Sequence, residues 1–337
     1  MKNNLFILTF IALFATACDN DSIVNAEDAP VESSSWVFAA NEGTWETTTG
    51  SISMIDDLGN VYETDYIGNT VQSLEVYEDK LIVLVNDPSK IMIYTITPNG
   101  LAMPGIEVST DGSGPREMVI VGENIYFTNQ NTSDVKVFNL ITYNIDASIP
   151  VGSFPEGIVT DGSTIWVANS GSGTVNEIDI ATNSVTANYD VGEGPTHLVY
   201  HDSSVFISRT FYSSDWTTAY HGVSKITGMG EISINNYGSG MACGGSVLAH
   251  NADVMRSFNG GLGRIDSDLN LEEALIGNFT QSQVYHVEKI DGYFWFAITD
   301  YGDLNQAHVL DEFGAEVAVY NVGQNPGDFA KWPKINN

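Results

Sequence analysis

Basic side chains are scarce in this chain. Twelve Lys and Arg stand against 43 Asp and Glu among 337 residues, a formal net charge of −31 at pH 7. Charged residues make up only 16% of the chain, so the imbalance comes from missing base rather than from an acidic tail. Without a basic stripe there is no nucleic-acid partner held through phosphates, and no polybasic attachment to anionic lipid. Cysteine is nearly absent as well, with only Cys18 and Cys243, so a disulfide framework is excluded. Long Ala/Leu/Glu/Lys stretches are missing, and the one marked apolar run, Leu5 to Phe14, is too short to span a bilayer. What is present is a hydrophobic fraction of 43% and an aromatic fraction of 11%, ample for a packed core and unlike a disordered polyanion. With 32 glycines and few helix formers, the composition is that of an all-β protein with many turns.

The first residues read as an address. Met1-Lys2 is a short positive start, Leu5 to Phe14 an apolar segment, and Ala15-Thr16-Ala17 a run of small residues before Cys18. This resembles a bacterial lipoprotein signal, in which the cysteine is lipidated and becomes the new N-terminus. An ordinary cleaved secretory signal with an incidental cysteine is the alternative. With Cys18 lipidated, Cys243 has no partner and reads as a small buried residue. Residues 1–17 are then the signal peptide, 18–35 a flexible tether, and 36–332 a single folded domain. Asp19-Asn20-Asp21-Ser22 directly after the cysteine resembles the surface-export signal of Bacteroidetes lipoproteins, which implies an outer-membrane anchor facing the cell surface.

Repeats fill the remainder. The clearest unit runs from Val151 to Asp190 and reads as four short strands separated by Asp161-Gly162, Ser170-Gly171-Ser172-Gly173 and Ala181-Thr182-Asn183. It recurs upstream from Gly112-Ser113-Gly114-Pro115 and from Thr70–Val76, and downstream from Val191, Gly244 and Gln283. Trp36–Asn41, Gly50–Asp56 and Asn60–Asp65 form three strands that lack an opening strand, and the last unit opening, from Gly323, lacks the other three. Together they make one split unit, giving seven. About 300 folded residues divided by seven is about 43, the size of a four-stranded blade. The expected fold is a seven-bladed β-propeller whose split blade closes the ring.

Two family resemblances follow. Trp166-Val167-Ala168-Asn169, then Ser170-Gly171-Ser172-Gly173-Thr174-Val175 and Ile178-Asp179, resembles the YVTN-type (YncE-like) propeller repeat, and Phe127-Thr128-Asn129 is a second copy. It implies the fold and leaves function open. Asn41-Glu42-Gly43 followed by Gly50-Ser51-Ile52-Ser53 resembles the opening of Bacteroidetes surface propeller lipoproteins, some of which capture cobalamin and hand it to a TonB-dependent transporter.

Repeat alignment nominates the residues at one mouth of the channel. The two positions after the repeat proline give Gln72-Ser73, Arg116-Glu117, Glu156-Gly157, Thr196-His197, Gly245-Ser246, Val284-Tyr285 and Gly327-Asp328. Loops between second and third strands add Trp45 and Tyr301, and a longer loop from Arg209 to Tyr220 carries Tyr212 and Trp216. Such an insertion, rich in Tyr, Trp, Ser and Thr, has the composition of a recognition surface; packing over a neighbouring blade is the alternative. Arg116 and Arg209 are among the few cations and can pair a ligand carboxylate or phosphate, unless a local acid such as Glu117 takes them. His197 can meet a ligand-borne metal, but no second histidine maps beside it, so no built-in metal and no cofactor are expected.

Catalytic signatures are missing: no Gly-x-Ser-x-Gly elbow, no His-Glu-x-x-His, no phosphate loop and no zinc-type cysteine pair. The expected function is capture of a bulky nutrient, cobalamin or another metal chelate such as haem or a siderophore, at the mouth, with transfer to a TonB-dependent transporter. The ligand-binding set is Trp45, Arg116, His197, Arg209, Tyr212, Trp216, Tyr285 and Tyr301, with Cys18 the lipidation site. A glycan- or protein-binding propeller of a polysaccharide-utilisation system is one alternative. A metal-dependent lactonase- or lyase-like propeller enzyme, using Glu117, Glu156 or Asp328, is the other.

Overall fold

The computed structural model describes residues 35–44, 47–240 and 245–333. They form seven antiparallel four-stranded sheets arranged as the blades of a propeller. Six blades are sequential meanders. In the seventh, Pro326–Trp332 pairs with Trp36–Asn41, which continues into Ser51–Asp56 and Val61–Glu63. The expected split blade is therefore the closure of the ring. A single short 3₁₀ turn, Gln281–Gln283, is the one helical element among the described residues.

Each blade has two apolar faces, and the reason is visible in strand Lys80–Asp87. Its run Leu81-Ile82-Val83-Leu84-Val85 is buried throughout. Successive side chains point to opposite sheet faces. Leu81, Val83 and Val85 join a cluster with Trp36, Phe38, Ala330 and Trp332 of the closing blade. Ile82 and Leu84 join Met118, Ile125, Phe127 and Phe138 of the next. The described residues form seven such clusters, one at each blade–blade interface. A blade cannot bury both faces alone, so the ring must close. Outer strands such as Ser184–Asp190 are largely exposed, which ends the core at the rim.

The inner strands line the channel: Thr70–Tyr77, Pro115–Val121, Pro155–Thr160, Pro195–His201, Val247–His250, Val284–Ile290 and Pro326–Trp332. In six of them a β-bulge interrupts the ladder near the start, as between Pro115 and Met118 or Val284 and His286. A bulge turns two successive side chains toward the same region. Here it presents a pair of residues from each bulged strand to the mouth.

The segment from Arg209 to Tyr220 is less of a loop than its composition predicts. Strands Ser204–Tyr212 and Ala219–Thr227 run on as an extended hairpin, with Phe211 opposite Tyr220 and Tyr212 opposite Ala219. Only residues 213–218 turn, and Phe211 stacks on Tyr220 at 5.6 Å. Cross-strand aromatic pairs stabilise such a ribbon.

Closure by the final strand is testable. A chain ending at Asn325 loses Phe329 and Trp332, both buried, and each large aromatic removed from a core costs about 3–5 kcal/mol. Its urea midpoint should fall well below that of the intact chain, or the protein should not accumulate as a folded species. An unchanged midpoint would show that closure is dispensable.

Candidate functional site

The mouth lies at the N-terminal ends of the inner strands. It is a cavity of about 320 Å³ whose lining includes Glu42, Arg116, Glu156, His197, Tyr212 and Tyr285. Matching the apolar residue that follows the mouth-facing pair on each strand (Leu74, Met118, Ile158, Leu198, Val247, Val287, Phe329) aligns all seven strands in layers. The outermost layer is Gln72, Arg116, Glu156, Thr196, Gly245, Tyr285 and Gly327. Beneath it come Ser73, Glu117, Gly157, His197, Ser246, His286 and Asp328. The matched apolar residues come third, and the fourth layer is apolar apart from Glu75 and Glu288. A second cavity, at the far end of the channel, is lined by Glu75, Glu117, Glu288, Asp328 and Lys331.

In the outer layer one cation is surrounded by acids. Arg116 donates through Nε to Glu156 at 2.8 Å and through Nη1 to Gln72 at 2.5 Å. Burial opposes its charge, but Glu156, Glu42 and Glu117 outweigh that and raise its pKa. Glu42 accepts from the Tyr285 hydroxyl at 2.6 Å and from Gln72 at 3.1 Å. Burial raises the Glu42 carboxyl above its ordinary value in spite of these bonds. The Glu42 backbone is pinned across the closing blade, its N–H donating to Asn325 at 3.0 Å. Glycine at 327 makes room for it, since a Cβ there would lie 2.8 Å from a Glu42 carboxylate oxygen. Likewise a Cβ at Gly157 would meet the Thr196 carbonyl at 2.3 Å, so only glycine lets these two inner strands approach.

Burial shifts the deeper groups toward their uncharged forms. Burial lowers His197 to about 3, and its ring lies 6.3 Å from that of His286, which burial also lowers. Burial raises Glu288 to about 8. Glu75 also reaches about 8, by burial first and then by the charges of Asp328 and Glu288. Asp328 is raised to about 7 by burial and Glu288, although it accepts from the Leu74 N–H at 2.7 Å. Glu117 is pushed far upward by burial, with Asp328 adding to it.

Five of the eight sequence-predicted ligand residues line the mouth: Arg116, His197, Tyr212, Tyr285 and Tyr301. Trp216 does not line the cavity. It stands 77% exposed beside it, with its ring 5.5 Å from that of Tyr212. Trp45, Cys18 and Cys243 fall outside the described residues. Arg209 is a correction. It is 1% exposed inside the blade, where its guanidinium donates to the carbonyls of Glu193 and Asn235 and to the Asn236 side chain. Its Nη groups are taken by backbone and amide oxygens within the blade, so it does not reach the mouth. Arg116 is paired by Glu156 of the neighbouring blade rather than by Glu117.

Sequence reasoning missed two groups as site residues. Glu42 belongs to the Asn-Glu-Gly opening motif, but the inner-strand alignment does not cover it because it follows a second strand. His286 escaped through a one-residue slip: the sixth blade has Val284 where others have proline, so its true pair is Tyr285-His286. The apolar residue after the pair, Val287, was the signal that fixes the register.

No protein-family model matches the chain, and no curated protein matches it either. Solved structures do. Hydrazine synthase of Kuenenia stuttgartiensis is similar with a TM-score of 0.61 at 15% identity, covering 79% of this chain and 90% of that one. A candidate 6-phosphogluconolactonase from Bacteroides uniformis has a TM-score of 0.62 at 11% identity, over 89% of this chain and 100% of its own. Another from Bacteroides fragilis has 0.59 at 14%, over 90% and 100%. At such identities the likeness is one of fold.

The raised carboxyls predict how stability varies with pH. A buried acid near 8 keeps its proton in the folded state, where the unfolded chain releases it above about pH 4.5. Its contribution is complete below that pH and is lost as pH rises toward about 8. In chelator-treated buffer the melting temperature should therefore fall between about pH 5 and pH 8. Glu75→Gln should flatten this slope by on the order of a few kcal/mol. A melting temperature that climbs over that interval would contradict the assignment.

Proposed function

We propose that the protein is a lipid-anchored, outer-surface binding protein, acting by capture rather than catalysis. Its propeller mouth takes a bulky nutrient ligand of the cobalamin type and passes it to a TonB-dependent transporter. The observation that carries this reading is the cup at the channel mouth: hydrogen-bonding groups and a neutral imidazole at its floor, aromatic rings at its rim.

Charge selects among the ligands considered. The mouth holds one guanidinium, already bonded to Glu156, and three carboxyl groups, Glu42, Glu117 and Glu156. Haem propionates, anionic siderophores and a phosphorylated lactone would all lack a free cation to pair with. The same scarcity weighs against the activity named for the Bacteroides neighbours. A corrin is ringed by neutral amides, which can donate to carboxylates and bond Gln72 and Tyr285. His197, with its imidazole uncharged, has the protonation state that a cobalt ligand requires.

Size and shape agree. A cavity of about 320 Å³ cannot enclose a corrin, so the ligand would rest one face on the rim. Tyr212, Trp216 and Tyr301 are exposed there at 44%, 77% and 52%. Trp216 and Tyr301 hold positive φ of 59° and 62°, a conformation that costs a bulky side chain roughly 1–2 kcal/mol. Backbone strain kept by exposed aromatic residues at a cavity rim is consistent with recognition.

Calorimetric titration of the lipid-free protein tests the reading. Cyanocobalamin should bind below micromolar, and haemin at least about tenfold more weakly. Tyr212→Ala and Trp216→Ala should each weaken binding by about tenfold, or ~1.4 kcal/mol, with the melting temperature little changed. No submicromolar binding of cyanocobalamin would sink the proposal, and binding of a polysaccharide instead would favour the glycan-binding alternative.

A further inference from the structure

Below the mouth, the channel brings together a set of donors that ligand capture does not use. His286 and Glu288 alternate along strand Val284–Ile290, so both face the channel, and Asp328 reaches it from Pro326–Trp332. One ligand atom from each of the three lies within 4.8 Å of the others. His286 Nε2 stands 3.8 Å from Glu288 Oε2. That nitrogen is buried and has no hydrogen-bond partner. A buried ring nitrogen without a partner is a costly arrangement unless something fills the gap.

Around this triad stand two more carboxyls, Glu75 and Glu117. Both lie close enough to Asp328 to feel its charge. Among the described residues no Lys or Arg forms an ion pair with Glu75, Glu117, Glu288 or Asp328. Arg116, the nearest guanidinium to Glu117, is already bonded to Glu156 and Gln72. Both cavities reach the cluster: His286 and Glu117 line the mouth cavity, while Glu117, Glu288 and Asp328 line the far one. An ion therefore has a way in from either end.

We propose that His286, Glu288 and Asp328 bind one divalent transition-metal cation on the channel axis, with Glu75 and Glu117 completing or balancing the site. Metal–ligand bonds of about 2.1 Å place donors on one ion at most about 4.2 Å apart, so small side-chain rotations close the set. One imidazole with carboxylates suits Zn²⁺ or Mn²⁺ better than Ca²⁺, which takes oxygen donors alone. The ion supplies the positive charge the cluster lacks and gives Nε2 its partner. Asp328 is oriented by the N–H groups of Leu74 and Phe329, at 2.7 and 2.9 Å, leaving the remaining lone pairs for the metal.

The site can be tested on the whole lipid-free chain, without a histidine tag, after chelator treatment. Zn²⁺ and Mn²⁺ are titrated separately at neutral pH by calorimetry in two buffers of different ionisation enthalpy. Expected for at least one metal are a single saturable equivalent, proton release on binding, and a higher melting temperature. His286→Gln should weaken binding at least about tenfold. Should that variant fail to fold, Glu288→Gln reads the same contact. Glu312→Gln, altering an exposed acid, should leave binding unchanged. Absence of a saturable equivalent for both metals, or equal affinity in His286→Gln and Glu288→Gln, would overturn the proposal. The titration contains no mouth ligand, so it fails or succeeds independently of the capture reading.

Discussion

Closure of the ring is the constraint on which everything else rests. Trp36–Asn41 pairs with Pro326–Trp332, residues nearly three hundred positions apart, and this pairing completes the seventh blade interface. It also encloses the channel. The inner strands carry acids, and once closed in they face a narrow channel rather than bulk water. Burial is accordingly the first cause of every raised carboxyl there, ahead of the repulsion between acids. The mechanics of the fold and the chemistry of its axis are linked: the closure that stabilises the blades also crowds these acids into a narrow channel.

The channel is graded along its length. At the mouth, Arg116 holds Glu156 and Gln72, Tyr285 holds Glu42, and aromatic side chains stand at the edge. One layer in, two imidazoles are kept uncharged, lowered by burial first and, for His197, by nearby His286 and Arg116. Deeper still, carboxyls lie among apolar side chains. A neutral or cationic guest meets suitable groups at every level, and an anion meets none. The overall charge of −31 extends the same bias to the surface.

The fold was legible because its signals are local and repeated. Two-faced apolar strands such as Leu81–Val85, punctuated by Asp-Gly and Ser-Gly turns, announce blades, and the unit lacking its opening strand announces closure. The site was only partly legible. His286 was missed because Val284 stands where other blades have proline and shifts the register by one. Glu42 reaches the mouth from a second strand, held there because its N–H and that of Gly43 donate to the carbonyls of Asn325 and Gln324, contacts that no local pattern encodes. Arg209 maps to the mouth by its place at the start of the inserted loop, and the rarity of cations singles it out. Scarcity marks a residue as notable without saying which way it points, and its partners are carbonyls inside the blade. Burial and cross-blade pairing are properties of the closed ring.

The most direct test is to observe the protonation of the channel acids. Infrared spectra of the chelator-treated protein, recorded from about pH 5 to pH 9, report the carbonyl stretch of protonated carboxyl groups. Retained carboxylic acid signal at neutral pH, lost only toward about pH 8 and diminished in Glu75→Gln and Glu288→Gln, is the expected result. A spectrum in which every carboxyl has ionised by about pH 6 would show that enclosure in the channel does not hold these acids protonated. The link between ring closure and site chemistry would then be wrong.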